Sequence, residues 1–247
     1  MTAPLFLVSP SRLDGALPGG PLFVDGEEGR HAVTVRRIQP GERVDIADGA
    51  GRVARCAVVA VAKGRLELQV RDVAVVPSPT PRLVLVQALA KSGRDELAVE
   101  TATEVGVDAV VPWQAARSVV RWEGERGERS RRRWEATARA AAKQSRRVWV
   151  PVIEVAVTTA QLARRSAGTR LLVLHEAADR PLTDIPLPDA GEVLVAVGPE
   201  GGVTDEELRS LEQAGGVAVR LGPEVLRSST AGPVALALLA VRLGRWA

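Results

Sequence analysis

Two glycine-rich segments near the carboxyl end of the chain carry the residues best suited to chemistry. GPEGG at 198–202 follows the aliphatic run at 193–197, and LGPEVLR at 221–227 follows a second short aliphatic run. Glycine lets a ligand approach bare backbone, and such loops at the carboxyl ends of parallel strands form ligand sites. Glu200 and Arg227 are the charged side chains best placed near such a ligand. The alternative interpretation is two ordinary tight turns, with Glu200 as a helix cap and Arg227 in an ion pair.

The sequence also excludes several common kinds of site. GPEGG is neither a Walker A loop nor a dinucleotide fingerprint, because GKS/T and GxGxxG are both missing. His31 and His175 are the only histidines and Cys56 is the only cysteine, so no cluster has the spacing of metal ligands. No Ser-His-Asp set and no paired carboxylates have a recognisable spacing. We therefore expect a ligand-binding domain that uses no metal.

Alternating strands and helices must position the two glycine loops. The run at 193–197 predicts a strand buried on both faces. Thr204 with Glu207 three residues later predicts a capping box and a helix that ends near Gly215. The other predicted strands are 83–88, 109–113, 171–174 and 217–221, and the other predicted helices are 96–105, 130–145 (capped by Ser130), 158–165 and 233–243. This pattern predicts a parallel sheet with helices on both faces, in which the two glycine loops follow neighbouring strands.

The first 75 residues follow a different pattern. Short alternating runs at 22–24, 43–46, 53–61 and 66–70 are separated by turn residues, which predicts a small β-barrel. The segment 31–37 suits either a helical turn or a strand, and we favour the helix. A proline-rich linker at 76–81 follows. The predicted domains are therefore residues 1–75 and residues 82–247.

Composition narrows the class of protein. Hydrophobic residues make up 46% and charged residues 26% of the chain, as in globular proteins. Aromatic residues are only 3%, with no Tyr, which argues against a base-stacking platform. A single cysteine fits a reducing compartment, the start of the chain lacks signal-peptide features, and the apolar stretch 231–241 is too short to span a bilayer. We expect a cytoplasmic protein with no membrane partner.

Positive charge is concentrated between residues 117 and 147. This segment has eleven Arg and Lys against four Asp and Glu, whereas the whole chain has a net charge of only +3. Arg131, Arg132 and Arg133 fall in the first turn of the predicted helix, where the helix dipole disfavours positive charge. A polyanion such as nucleic acid would offset that cost, so we expect these arginines to bind RNA. The alternative is a solvated charged face supported by a Glu135–Arg139 pair.

The ordered set of motifs resembles the RsmE family, the uridine-N3 methyltransferases of small-subunit ribosomal RNA in the knotted SPOUT superfamily. GPEGG followed by TDEE at 204–207, together with LGPEVLRSSTAG at 221–232, carries the resemblance. It extends through ALAK at 88–91, TEVGV at 103–107, Pro112, RS at 117–118, AKQSRR at 142–147, the segment 31–37 and Pro40-Gly41. These motifs cover nearly the whole chain.

The resemblance implies an N-terminal PUA-like β-barrel and a C-terminal α/β domain with a parallel sheet and a deep trefoil knot. It implies S-adenosyl-L-methionine as the cofactor, bound in the knot of a homodimer. The residues that it assigns to the cofactor are Leu174, His175, Ala196, Val197, Gly198, Glu200, Gly201, Gly202, Arg220, Leu221, Gly222, Leu226 and Arg227.

The implied reaction is methylation of N3 of one uridine in 16S ribosomal RNA, U1498 in the family, within ribosome biogenesis. Arg227 is the candidate for stabilising the uracil anion, and Glu200 for accepting the proton or orienting the amino group of the cofactor. Ser229 stands where the family motif has a carboxylate, so the general base is left open. With Arg131, Arg132 and Arg133, the residues expected to bind RNA are Arg36, Arg37, Lys91, Arg94 and Arg117.

Two other functions fit the same fold. A non-catalytic RNA-binding or ribosome-assembly factor would keep the architecture without the reaction, and Ser229 supports that alternative. A related knotted methyltransferase would act on another RNA position, such as a ribose or a guanine.

Overall fold

A computed structural model describes residues 3–91 and 93–246 of the chain. The chain forms two compact units. The first contains the residues up to 78 together with 142–150, and the second contains 79–141 and the residues from 151 onward. Each unit has its own apolar core.

The first unit is built on one mixed sheet of five strands. Its elements are β1 (Leu5–Leu7), β2 (Pro21–Val24), α1 (Gly26–Arg30), a π-helical turn (His31–Val35), β3 (Arg43–Ala47), β4 (Arg52–Ala62) and β5 (Arg65–Val75). The strand order is β1-β3-β4-β5-β2, with β1 parallel to β3 and the other pairs antiparallel. The four predicted strands are confirmed, and the segment 31–37 is helical over most of its length, as we favoured.

The only cysteine lies inside this sheet and should be inert. Cys56 is 2% exposed on β4, and burial, with a smaller contribution from the nearby Asp45 carboxylate, raises the pKa of its thiol to about 12. At pH 8 only about one thiol in ten thousand is then ionised, and the thiolate is the reactive form. We expect no reaction of the native protein with dithionitrobenzoate at pH 8 over an hour, and one thiol per chain after unfolding in guanidinium. Rapid stoichiometric labelling of the native protein would contradict this assignment.

The second unit is a parallel sheet with helices on both faces. Its elements are β6 (Arg82–Ala88), α2 (Arg94–Val105), β7 (Ala109–Gln114), α3 (Gly124–Gln144, which extends into the first unit), β8 (Val152–Ile153), β9 (Val157–Thr158), α4 (Thr159–Ser166), β10 (Arg170–Leu174), β11 (Glu192–Val197), α5 (Asp205–Gln213), β12 (Val217–Val219) and α6 (Ser228–Arg242). Alternate residues of β11 pack into different cores: Val195 lies with side chains of α2, α3 and α6, and Leu194 with side chains of α4 and α5.

The strand order corrects one prediction about the glycine loops. The order is β12-β10-β11-β6-β7-β8, with β9 also paired to β7, so β11 and β12 are not neighbours. The helix α5 carries the chain from β11 to the far edge of the sheet, and β10 lies between the two strands. Consecutive strands are adjacent only about two-thirds of the time. The loop after β10 consequently lies between the two glycine loops.

β12 is paired on both of its sides by segments that flank the loop after β10. Val219 faces β10, where its carbonyl accepts a hydrogen bond from His175 N (2.9 Å). Arg220 faces the other way: its N–H donates to Arg180 O, and its carbonyl accepts from Leu182 N, both at 2.9 Å. The segment 175–191 therefore leaves β10, crosses to the outer side of β12 and returns to β11. β12 therefore lies between β10 and the segment 180–182.

Two helices begin five or six residues earlier than predicted, and α2 begins two residues earlier. The helix α3 begins at Gly124 rather than at Ser130, and α6 begins at Ser228 rather than at Pro233. Ser130 is therefore an interior helical residue and not a cap. None of the helices in the described part of the chain has the length and apolar character needed to cross a membrane.

Candidate functional site

A cavity of about 460 Å³ lies where β10, β11 and β12 end at one edge of the sheet. Its volume is within the range of small-molecule sites. The wall is formed by residues of 174–176, 197–203 and 219–228, together with Arg94, Arg117 and Ala231. The structure thus brings the two glycine loops together and adds the loop after β10.

Twelve of the thirteen residues that the resemblance assigned to the cofactor line this cavity. The exception is Ala196, which is fully buried. Its side chain packs with Leu194 in the core beneath α4 and α5, whereas Val195 and Val197 face the other core. The alternation of side chains along a strand directs Ala196 away from the cavity, so its side chain cannot hold a ligand there.

The first glycine loop is shaped by its own packing. At Gly198 a Cβ would lie 2.8 Å from Cγ2 of Val203, so any side chain there would displace the loop. Gly202 has a φ of +74°, a conformation that other residues rarely adopt. At Gly201 a Cβ would lie 3.2 Å from Cδ of Arg117, whose guanidinium donates a 2.6 Å hydrogen bond to the Gly201 carbonyl. Glycines 198 and 202 are therefore required by the loop itself, with or without a ligand, whereas a side chain at Gly201 would press on Arg117.

The second glycine loop presents bare backbone to the cavity. Among the described residues, no backbone hydrogen bond satisfies the N–H or C=O groups of 221–226. A Cβ at Gly222 would meet only Oε2 of Glu224, at 3.7 Å, and the φ of Gly222 is not positive. Space and unpaired backbone groups at one place are what a bound ligand with hydrogen-bonding edges requires.

Positive charge is concentrated where this loop meets α6. Arg227 is the N-cap residue of α6, and its side chain is exposed. Among the described residues its guanidinium has no ion-pair partner. The N-terminus of a helix carries partial positive charge, so an arginine there is favourable only beside an anion. The adjacent Ser228 lines the cavity, and its buried Oγ has no hydrogen-bond partner among the described residues. This corner is therefore suited to a ligand with anionic oxygen.

The carboxylates at the cavity differ in their surroundings. Glu200 forms an ion pair with Arg94, Oε1 to Nη1 at 3.3 Å, and both side chains are about 40% exposed. Glu176 and Glu224 also line the cavity, and the sequence interpretation did not assign them. The sequence could have assigned both carboxylates to the cavity, because Glu176 directly follows His175 and Glu224 lies inside the LGPEVLR motif. Ser229 is buried in the first turn of α6.

The residues expected to bind RNA are distributed over both units. Arg36 and Arg37 are exposed in the first unit, just after the π-helical turn, and Arg37 has a φ of 52°. In the second unit Arg94 and Arg117 line the cavity, whereas Lys91 is exposed outside it.

The helix-dipole argument for Arg131, Arg132 and Arg133 is wrong. Because α3 begins at Gly124, these residues lie in its interior and not in its first turn. Two of them also have carboxylate partners: Arg131 pairs with Glu128 (3.1 Å) and with Glu135, and Arg133 pairs with Glu96 (3.1 Å). In the described chain Arg132 is exposed and has no ion pair, so it is the member of the run with an uncompensated charge.

Comparisons with known proteins match two family models to successive parts of the chain. A family model for an RNA methyltransferase domain matches residues 76–240, and one for an RNA methyltransferase PUA domain matches residues 24–71. The chain is 47% identical to ribosomal RNA small subunit methyltransferase E of Mycobacterium bovis, covering 100% of this chain and 94% of that one. It is 31% identical to the protein of the same name from Bacillus subtilis, covering 87% and 88%.

Solved structures are similar over nearly the whole chain. A methyltransferase from Legionella pneumophila in complex with S-adenosylmethionine is 27% identical, with a TM-score of 0.84 and 98% of each chain covered. Ribosomal RNA small subunit methyltransferase E from Neisseria gonorrhoeae, also bound to S-adenosylmethionine, is 25% identical, with the same TM-score and coverage.

Proposed function

The chain belongs to the ribosomal RNA small subunit methyltransferase E family, and on that premise we propose that it methylates N3 of one uridine in 16S ribosomal RNA. U1498, the position that the resemblance implies, is the proposed target. The methyl donor is S-adenosyl-L-methionine. The observation that carries the proposal is the cavity formed by the ends of β10, β11 and β12, with unpaired backbone on one side and Arg227 at its rim.

The residues around the cavity fit the methyl donor. Leu174, Val197, Leu221 and Leu226 offer apolar surface for an adenine ring, and the unpaired backbone groups of 221–226 can hydrogen-bond to its edge. The carboxylate of Glu200, which also lines the cavity, can hold an amino group. When bound, S-adenosyl-L-methionine supplies an activated methyl group, so the protein contributes mainly positioning and electrostatics.

Arg227 and the N-terminus of α6 stabilise the negative charge that the reaction develops. N3 of uridine becomes a nucleophile when it loses its proton, and the resulting charge is shared with the two uracil carbonyl oxygens. A guanidinium and a helix N-terminus at one place attract such an anion together. The carboxylates available to accept the proton at the cavity are Glu176, Glu200 and Glu224, of which Glu200 is paired with Arg94.

RNA binding rests on arginines without carboxylate partners. We expect Arg132→Ala to lower the slope of log K against log salt by roughly 0.7–0.9, the value of one phosphate contact. Arg131→Ala should change the slope less, because Glu128 and Glu135 already compensate its charge. Fluorescence anisotropy of a labelled 16S fragment at several salt concentrations measures both slopes, and donor affinity serves as the control. Equal slopes for Arg132→Ala and the unchanged protein would remove Arg132 from the RNA interface.

We also propose that the protein acts as a homodimer, that its substrate is the small ribosomal subunit, and that it acts in the cytoplasm. Val119 and Val225 are 67% and 79% exposed, and Val225 lines the cavity. In the proposed homodimer a second copy covers Val225 at the cavity. Analytical ultracentrifugation at micromolar concentration tests this part separately.

Calorimetry with S-adenosylhomocysteine tests the proposed cofactor site. We expect one binding event per chain. The absence of any binding by the folded protein would favour the non-catalytic RNA-binding alternative, which Ser229 supports.

A further inference from the structure

A buried carboxylate ties the first glycine loop to a distant turn of the chain. Glu207 on α5 is 6% exposed. Its Oε2 accepts hydrogen bonds from the backbone N–H (3.2 Å) and the hydroxyl (3.1 Å) of Thr204, which completes the capping box of α5. Its Oε1 serves another purpose: it accepts from Ala116 N (2.8 Å) and from the Thr159 hydroxyl (2.7 Å). A capping box needs the contact between Glu207 and Thr204, and it does not need the hydrogen bonds from Ala116 and Thr159.

The turn that Glu207 holds carries Arg117. This turn is closed by a hydrogen bond from Ser118 N to Ala115 O, and Ala116 in its middle is fixed by Glu207. From the next position Arg117 reaches the cavity, donates to Gly201 O at 2.6 Å and lays its aliphatic stem against Gly201. The first glycine loop is thus held from α5 by the capping box and from the turn by Arg117.

The Thr159 contact continues the network into the core. The Thr159 hydroxyl that donates to Glu207 also accepts a hydrogen bond from Nε1 of the fully buried Trp113, at 3.2 Å. Trp113 lies on β7, which pairs with β6 on one side and with β8 and β9 on the other. The Glu207 carboxylate therefore accepts four hydrogen bonds, two on each oxygen, and such a network favours one position of the side chain.

We propose that Glu207 is a positioning residue for the methyl donor, and that it acts through Arg117 on the loop 198–202. This inference rests on the proposed function, because it assumes that the loop binds the donor. The carboxylate fixes the turn at 115–118, the turn fixes Arg117, and Arg117 holds the Gly201 carbonyl in the geometry that the donor meets. A glutamine at 207 cannot accept hydrogen bonds on both sides, since its NH₂ group would face either the Thr204 donors or the Ala116 and Thr159 donors.

A double-mutant cycle on donor affinity tests this coupling. Calorimetry with S-adenosylhomocysteine is carried out on the full chain, on Glu207→Gln, on Arg117→Ala and on the double variant. We expect roughly tenfold weaker binding for each single variant, as for a lost hydrogen bond to a charged group. The double variant should be no more than about threefold weaker than the worse single variant, because both changes break the same connection. In steady-state assays of Glu207→Gln the KM for the donor should rise while kcat at saturating donor stays within about twofold.

Matched variants separate this role from general stability. Glu212→Gln removes an exposed carboxylate from the same helix and should leave donor affinity unchanged. Thr159→Val removes only the hydroxyl donor to Oε1 and replaces Glu207→Gln in the cycle if that variant does not fold. The inference would be overturned if the double variant bound S-adenosylhomocysteine about a hundredfold more weakly, which is the product of the two single losses. It would also be overturned if Glu207→Gln bound with unchanged affinity. Failure of the unchanged protein to bind S-adenosylhomocysteine would instead overturn the proposed function.

Discussion

The Gly222→Val variant is expected to fold normally and to bind S-adenosylhomocysteine at least about a hundredfold more weakly than the unchanged protein. A Cβ at this position meets only Glu224 Oε2, at 3.7 Å, and the backbone has no positive φ, so the protein itself tolerates a side chain. The added methyl groups would instead occupy the cavity beside the unpaired backbone of 221–226. A side chain in a cavity that fits its ligand closely costs several kcal/mol of binding.

Calorimetry gives the donor affinity of this variant, and thermal denaturation without ligand gives its stability. Gly222→Ala provides the graded control and should weaken binding less. Gly198→Val is not a usable comparison, because its Cβ would lie 2.8 Å from Val203 and would disturb the loop in any case. Unchanged donor affinity in Gly222→Val would remove the second glycine loop from the donor site.

The Arg227→Ala variant is expected to lower kcat by roughly 10²–10³, the usual cost of removing one group that stabilises a developing oxyanion. Arg227 is the N-cap of α6 and makes no side-chain cap hydrogen bond, so its removal should leave the helix in place. Single-turnover methylation of 16S ribosomal RNA at saturating donor measures the chemical step. Arg209→Ala, which removes an exposed arginine from α5, is the matched control.

A second substrate separates charge stabilisation from a structural effect of Arg227. The imide of 5-fluorouridine is more acidic than that of uridine, so its anion needs less help to form. The rate loss in Arg227→Ala should therefore be smaller on RNA that contains 5-fluorouridine. A kcat within twofold of the unchanged protein on ordinary RNA would contradict the assignment.

Elements with a strong local signal were predictable from the sequence. The capping box of Thr204 and Glu207 marked the start of α5, and the aliphatic run at 193–197 marked β11. The residues of the cavity were assigned through the resemblance, because their positions follow the order of the motifs. The loop after β10 belongs to this set although no glycine marks it.

The start of α3 was predicted too late because Ser130 was interpreted as an N-cap, and the glycines that precede the predicted starts of α3 and α6 lie inside these helices. Gly127 lies inside α3, where a Cβ would come within 2.9 Å of the backbone carbon of Trp122, so close packing rather than a turn explains the glycine. Close packing also explains Gly232 inside α6, because a Cβ there would be 2.8 Å from Cδ1 of Leu85. Pro233 follows it within the helix and does not begin it. Such contacts depend on tertiary packing that a local pattern does not contain.

The hydrogen bonds of Glu207 Oε1 could not be predicted from the sequence either. Its Oε2 could be assigned from the spacing to Thr204, but Oε1 bonds to Ala116 and Thr159, which are 91 and 48 residues away. Only the folded sheet brings these segments together. The same holds for the ion pair between Arg94 and Glu200, which joins residues 106 positions apart at the cavity.

The most direct test of the central claim is to map the methyl group that the purified protein transfers. Small ribosomal subunits from cells that lack this activity are incubated with the protein and deuterium-labelled S-adenosyl-L-methionine, and the 16S ribosomal RNA is digested and analysed by mass spectrometry. Our account predicts one labelled 3-methyluridine per RNA, at a single position, and none with the Gly222→Val variant. Label on a ribose or a guanine, or no transfer by a protein that binds the donor, would contradict it.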